Sequence, residues 1–275
     1  MIREVVGAAM RLYRNSPLHH PAVGKALARA LSMLPRSKSV VRDVNGLKFR
    51  LDLDEIIDSS LYYSGTFEAN AERAIAGALR SGMTAVDVGA NVGYHTLRMA
   101  RAVGAAGKVI AIEPTSWAIA RLRENIALNA FTNVDVLQIG LAATDEGWRS
   151  IRFRSSYRLD GRVDTAEESV QIRALDGVTA DLTRLDFIKI DVDGSEGKVL
   201  DGARETLRRF RPMVLFEITP SAMVAGGDSP DDLLALLSGL GYRFREDDGS
   251  PLSDVRQRVA RIKAGDGINL IAEHS

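Results

Sequence analysis

The sequence contains no cysteine. That absence removes disulfides, a thiol nucleophile and thiolate-ligated zinc from consideration, and it fits a reducing compartment. The chain also lacks any apolar run near the ~18 residues a membrane span requires. Its first apolar stretch, Val5 to Met10, is cut by Arg11 too soon for a secretion signal, so a cytoplasmic location is expected. No internal repeat or low-complexity linker interrupts it. Positive and negative charges balance at +0, and no nucleic-acid partner is expected. The balance hides a split: residues 1–50 hold ten Lys/Arg against Glu4 and Asp43, about +8, which leaves about −8 for the remainder. With 275 residues and 45% hydrophobic content, the chain can bury one large core beside a small appendage. The expected division is a helical and hairpin extension over residues 1–54 and a main domain over 55–275.

What is present is organised around Thr84-Ala-Val-Asp-Val-Gly-Ala-Asn-Val-Gly-Tyr-His95. Val86 and Val88 belong to a short apolar run suited to a strand covered on both faces. From Thr96 onward, Leu97, Met99, Ala100 and Val103 repeat with helical spacing. The period changes at Gly89 and Gly93, which lack a Cβ and let a ligand approach the backbone where the first helical N–H groups point. In an open α/β sheet that crevice lies at the carboxyl ends of the strands. A dinucleotide fingerprint would need Gly-x-Gly-x-x-Gly, but position 91 is Asn and the glycines fall at 89, 93 and 104. The remaining pattern is Asp87 at a strand end, Gly-x-x-x-Gly, and Glu113 at the end of the next strand, Val109-Ile-Ala-Ile-Glu113. That arrangement is similar to the S-adenosylmethionine (SAM) site of a class I methyltransferase. Taken singly, Asp87 at a strand end, Asn91 as a cap or Glu113 as a solvated terminus would each have an ordinary structural reading.

Around this centre the chain alternates between strand and helix patterns. Residues 1–34 read as two short basic helices, either a solvated face packed on the domain or a peripheral contact for an anionic membrane. His19 and His20 are sequence neighbours and do not share a metal site. Apolar alternation on both sides of Asn45-Gly46 predicts a β-hairpin. Tyr62, Tyr63 and Glu68 precede a helix ending at Gly82, and they are placed to close over the cofactor or to pack in the core. Thr115 or Ser116 caps a helix with Ile119, Leu122 and Ile126 on one face. Asn133 to Ile139 is a third strand, whose exit at Leu141 is expected near the adenine. Residues 148–153 and 169–173 alternate around Asp160-Gly161 as an added hairpin. There Arg152, Arg154, Arg158 and Arg162 read as solvated edge charge or as a site for an anionic acceptor. Ser229-Pro-Asp-Asp232 starts a helix that Gly241 ends. Residues 242–245 and 268–272 complete the sheet.

A second informative stretch, Ile188-Lys-Ile-Asp-Val-Asp-Gly-Ser-Glu196, ends a strand in three carboxylates, and Met213 to Ile218 ends another at Glu217. Methyl transfer to a hydroxyl needs alignment and a base, which makes Asp191, Asp193, Glu196 and Glu217 the catalytic candidates. Asp193 and Glu196 also have the spacing of a helix capping box. Clustered carboxylates suit Mg²⁺ or Ca²⁺ as well, although no metal is assigned.

Together, Asp87 to Tyr94, Ala111-Ile-Glu-Pro114, Glu124 to Asn129, Ile188 to Glu196 and Arg211 to Glu217 resemble the FkbM family of SAM-dependent methyltransferases. The resemblance spans roughly residues 60–220. It implies a doubly wound, Rossmann-like α/β sheet, mostly parallel with an antiparallel last strand. It also implies O-methylation of a hydroxyl on a carbohydrate, glycolipid or natural product. Asp87, Gly89, Ala90, Asn91, Gly93, Tyr94, Glu113 and Pro114 would line the cofactor, with Glu113 on the ribose hydroxyls and Glu68 and Leu141 at the rim. Asp191 and its neighbours would face the acceptor. Asp193 stands where the family usually carries Glu, which leaves the identity of the base open. The competing readings are an NAD-linked oxidoreductase and a SAM-holding protein without turnover. Oligomeric state is not encoded in any of these patterns.

Overall fold

A computed structural model describes residues 39–157 and 163–274. The two basic helices expected over residues 1–34, His19 and His20, and Arg158 and Arg162 lie outside the described residues. The chain folds into two compact units. The smaller draws on residues up to Ala69, with Ala127–Asn129 and Arg152–Glu167, and the larger comprises Asn70–Ile126, Ala130–Ile151 and the chain from Glu168 onward.

The smaller unit contains the expected hairpin, β1 (Val40–Val44) and β2 (Leu47–Leu51), in antiparallel register from Val44↔Leu47 to Val40↔Leu51. Asn45 and Gly46 both take positive φ, 55° and 78°, so the turn twists with the strands it joins. Alternation then turns Leu47, Phe49 and Leu51 inward. Helix α1 (Ile56–Ser64) follows and stops at left-handed Gly65, whose N–H donates to Leu61 O. Arg42 lies over the Tyr62 ring at 4.5 Å. Arg152 pairs with Glu167 at 3.5 Å, in keeping with edge charge.

The larger unit is built on a seven-stranded sheet. Its strands are β3 (Thr84–Val88), β4 (Lys108–Ile112), β5 (Val134–Leu137), β9 (Phe187–Ile190), β10 (Met213–Ile218), β11 (Tyr242–Glu246) and β12 (Ile268–His274). Their order is β11-β12-β10-β9-β3-β4-β5. Strands β5, β4, β3, β9 and β10 pair in parallel, and β12 runs antiparallel between β10 and β11. This is the expected mostly parallel sheet with an antiparallel last strand. Chain order reverses between β3 and β9, the switch point at which open sheets place their ligands.

The helices α2 (Ala69–Ala78), α3 (Tyr94–Val103), α4 (Ser116–Leu128), α5 (Leu175–Thr179), α6 (Glu196–Asp201), α7 (Arg204–Phe210), α8 (Pro220–Ala225), α9 (Pro230–Gly239) and α10 (Val255–Ala260) alternate with these strands. Side chains of period two fill both faces. Val86, Val88, Ile188, Ile190, Val214 and Phe216 pack with Val199, Leu200, Leu234 and Leu237 on one side. Ala85, Val109, Phe187, Leu215 and Ile271 pack with Ile75, Met99 and Val103 on the other. An added sheet of order β6-β8-β7 joins β6 (Gly140–Leu141) to the long hairpin strands β7 (Gly147–Tyr157) and β8 (Val163–Arg173). Among the described residues no helix is long and apolar enough to cross a membrane.

Candidate active site

Two strand-to-helix turns meet at the switch point. The first leaves β3. Gly89 and Ala90 both donate their N–H groups to Ile112 O at 3.0 Å, so the loop is stitched to the end of β4. Gly89 has φ +76°, and a Cβ there would run into the carbonyl oxygen of Asp191. Glycine is therefore required twice over, by dihedral and by the closeness of the β9 exit, whose Asp191 N–H donates to Val88 O at 3.1 Å. Asn91 is left-handed at φ 48°, a conformation Asn tolerates. Gly93, φ +92°, admits the first turn of α3 beside Leu122 and Leu97. Buried Asn125 holds the loop from α4 by donating to Val92 O at 2.8 Å.

Glu113 reaches back from the end of β4. One oxygen, Oε2, accepts the Asn91 N–H at 3.0 Å, while Oε1 accepts the Thr115 N–H at 2.9 Å and its hydroxyl at 2.7 Å. Burial raises its pKa above the ordinary carboxylate value, opposed by the Thr115 and Asn91 hydrogen bonds and by Lys189. Thr115 also accepts the Ala118 N–H, so it is the cap expected at the start of α4.

Asp87 is fully buried, with Oδ2 accepting the Thr96 hydroxyl at 2.6 Å. Oδ1 has no hydrogen-bond donor among the described residues and lies 3.7 Å from the Lys189 ammonium. Lys189, paired with Asp87 in the strand register, is 5% exposed. It contacts Asp191 Oδ2 at 3.1 Å and Gly89 O at 3.4 Å, so a single buried cation joins both turns. Sequence reasoning passed over this residue. Its signal was a lone charge inside Phe187-Ile-Lys-Ile190, where every neighbour is apolar.

The second turn leaves β9. Asp191 is about one-third exposed (35%), anchored through Oδ2. Asp193 is exposed and left-handed at φ 53°, and Gly194 follows at φ 101° against the Ala222 backbone. Aspartate enters the left-handed region more readily than glutamate, which gives a physical reason for Asp at this position. The capping box expected over Asp193 and Glu196 does not form. Helix α6 begins at Glu196 itself, with Ser195 before it making no side-chain cap. Glu196 is buried and its Oε1 turns back to accept the Val192 N–H at 3.0 Å and the Gly194 N–H at 3.1 Å. Burial raises its pKa, and the charge of Asp191 adds to the rise. Glu217 leaves β10 one position past the pair Phe216↔Ile190, level with Asp191 on the adjacent strand.

The other expected residues fall as follows. Ala90 is buried in the loop, Pro114 is half-buried beside Glu113, and Leu141 is half-buried in β6 against the core. The Tyr94 hydroxyl donates to Glu72, and the ring lies 3.8 Å from the guanidinium of Arg98, which pairs with Glu72 at 3.1 Å. This cluster commits the phenol to the α2–α3 packing, and no periodicity announces it. Glu68 belongs to the smaller unit. Among the described residues no group of His, Asp and Glu is arranged to hold a metal ion.

These residues fit SAM. A carboxylate has about four acceptor sites; Glu113 uses three, leaving one on Oε2 for a ribose hydroxyl. Buried Asp87 stands behind the loop, its Oδ2 on Thr96 and its Oδ1 beside Lys189, and braces the turn rather than facing the crevice.

Residues 87–244 match the profile described as the Methyltransferase FkbM domain, more than half of the chain. Residues 19–151 also match that of protein-L-isoaspartate(D-aspartate) O-methyltransferase. No curated protein matches the sequence. Solved structures of similar fold include an FkbM methyltransferase from Methylobacillus flagellatus KT, at 20% identity and TM-score 0.45, covering 71% of this chain and 45% of that one. TYW2 of M. jannaschii in complex with AdoMet is 15% identical at TM-score 0.48, covering 88% and 87%. An rRNA methylase from Streptococcus thermophilus is 11% identical at TM-score 0.44, covering 74% and 95%. On the profile match across both turns, the chain belongs to the FkbM family of SAM-dependent methyltransferases.

Proposed function

We propose that this methyltransferase transfers its methyl group to a hydroxyl of a carbohydrate, glycolipid or natural-product acceptor, with Asp191 as the general base. The observation that carries this reading is the posture of Asp191. Oδ2 is held by Lys189 and Oδ1 has no partner among the described residues, so the carboxylate is fixed yet has an oxygen to give to a hydroxyl proton. Glu196 Oε1 is taken by the turn's own backbone and its Oε2 is buried, so this carboxyl braces the loop that carries Asp191 rather than touching the acceptor. Asp193 and Glu217 flank it and suit contacts to the acceptor's other hydroxyls.

SAM, once bound, supplies an activated methyl group on a sulfonium. The residues here align and deprotonate. Glu113 and the Gly89–Gly93 loop orient the donor, Lys189 keeps the paired carboxylates from repelling each other, and Asp191 takes the hydroxyl proton. Alignment contributes several kcal/mol and a positioned base about 10² to 10⁴ in rate.

Methyl-labelled SAM supplied with fractionated cell extract tests the acceptor class. Label is expected in carbohydrate or lipid fractions and should survive mild alkali, as an ether does. Label in RNA, or alkali-labile label in protein, contradicts the reading.

A further inference from the structure

An open depression of about 440 Å³ lies along the carboxyl edge of the sheet, between α10 and the start of β12. Arg258, Arg261 and Lys263 line it with Asp266, and Gly267 and Ile268 also line it. Its volume is that of a site for a small ligand. With Arg258 neutralised by Glu246, Arg261 and Lys263 against Asp266 leave the lining one net positive charge. Arg258 is paired with Glu246, and Arg261 donates only to the neutral Gln257 oxygen at 3.0 Å. Neither Arg261 nor Lys263 has a carboxylate partner among the described residues, unlike Arg98, Arg184, Arg204 and Arg208 elsewhere in the same unit. Charge that the fold leaves unneutralised around such a depression is available to a ligand.

The strand register fixes where this cavity sits relative to the chemistry. Glu217 pairs with Asn269 and Ile218 with Ile268, so Gly267 stands just past the carboxyl end of β10. Gly267 has no room for a side chain there, because a Cβ would run into the Thr219 hydroxyl and come within 2.6 Å of Glu217 Oε1. Since Glu217 is level with Asp191, the cavity begins two strand spacings from the base, about 10 Å along the sheet edge. It lies beyond β10, on the side away from β3 and β4, and so is separate from the cofactor loop.

We propose that this cavity is an acceptor subsite for an oxyanion, a phosphate or a carboxylate carried by the glycan about 10 Å from the hydroxyl that is methylated. The inference rests on the methyltransferase reading above and adds an anionic substituent to its acceptor. Arg261 and Lys263 hold the anion, Arg258 backs them, and Glu217 and Thr219 mark the path to Asp191.

Calorimetric titration of the full chain, with demethylated SAM bound and at fixed low ionic strength, tests this with glucose 1-phosphate, glucuronate and glucose. Both anions, or one of them, should bind at least tenfold more tightly than glucose, and which anion binds identifies the group. The doubly substituted Arg261→Ala/Lys263→Ala chain should lose that preference while its SAM affinity stays within about twofold, because both residues are exposed and remote from the cofactor loop. No preference in the wild type, or the same preference in the variant, overturns the subsite. Absence of SAM binding in the wild type overturns the methyltransferase reading instead, and with it the assignment of this cavity to an acceptor.

Discussion

The two turns at the switch point solve one problem in opposite ways. Each must satisfy the N–H groups of a strand that stops short and becomes a helix. The turn after β3 borrows its carboxylate: Glu113 arrives from the neighbouring strand, accepts the Asn91 N–H, and keeps one acceptor site open. The turn after β9 supplies its own, with Glu196 folding back on Val192 and Gly194. The borrowed acid closes the turn between two strands, where the proposed function puts the ribose. The internal acid is buried in its own loop, which leaves Asp191, just upstream, facing outward. On the function proposed above, one turn serves the cofactor and the other the acceptor, and Lys189 touches both.

Breaking that shared cation should have the largest effect on the fold. Lys189→Met leaves Asp87 buried without a countercharge and should destabilise the protein by about 3–5 kcal/mol in urea unfolding. Adding Asp87→Asn should restore part of the loss, and an equal loss in the double variant would deny that the two are coupled. Next come the glycines, which separate the turns. Gly89→Ala and Gly194→Ala both place a side chain at positive φ against backbone, each costing roughly 2–4 kcal/mol. Only Gly89→Ala should abolish SAM binding, whereas Gly194→Ala should keep it within about twofold, both read by calorimetry.

Glu113→Gln tests the borrowed acid alone. It replaces an acceptor with an amide and removes about 1.5–3 kcal/mol of charge-assisted bonding, so SAM should bind roughly ten- to a hundredfold more weakly. The smallest effect belongs to Glu196 and depends on pH. Burial raises its folded pKa. Its favourable contribution is therefore complete below the unfolded value, ~4.3, and is lost as pH rises through the folded one. The wild type should gain stability relative to Glu196→Gln as pH falls from 7 toward that value, visible as a widening gap in urea midpoints; a constant gap would place the carboxyl in solvent.

Local pattern carried much of this into the sequence. Val86 and Val88, then Gly89 and Gly93, announced strand, loop and helix, and the Asn45-Gly46 hairpin was equally plain because its signal is complete within a few residues. The antiparallel last strand came with the family resemblance, since the place of β12 between β10 and β11 depends on pairings across the whole unit. The capping box that the Asp193–Glu196 spacing allowed as an alternative to catalysis does not form, because spacing alone does not say where a helix begins, and here α6 starts two residues later than the box requires. The cluster around Tyr94 was not legible because Glu72 and Arg98, which engage it, come from 22 residues upstream and the next helical turn. Lys189 was visible as an isolated charge, but its partners are a register pair and a strand exit that only the folded sheet brings together.

Asp191→Asn examined in one preparation by SAM calorimetry and by label transfer to the acceptor-bearing fraction puts the base directly at risk. The expected result is SAM affinity within about twofold of wild type with turnover lower by about 10² to 10⁴. Unchanged turnover, or turnover lost only in proportion to lost SAM binding, would contradict it.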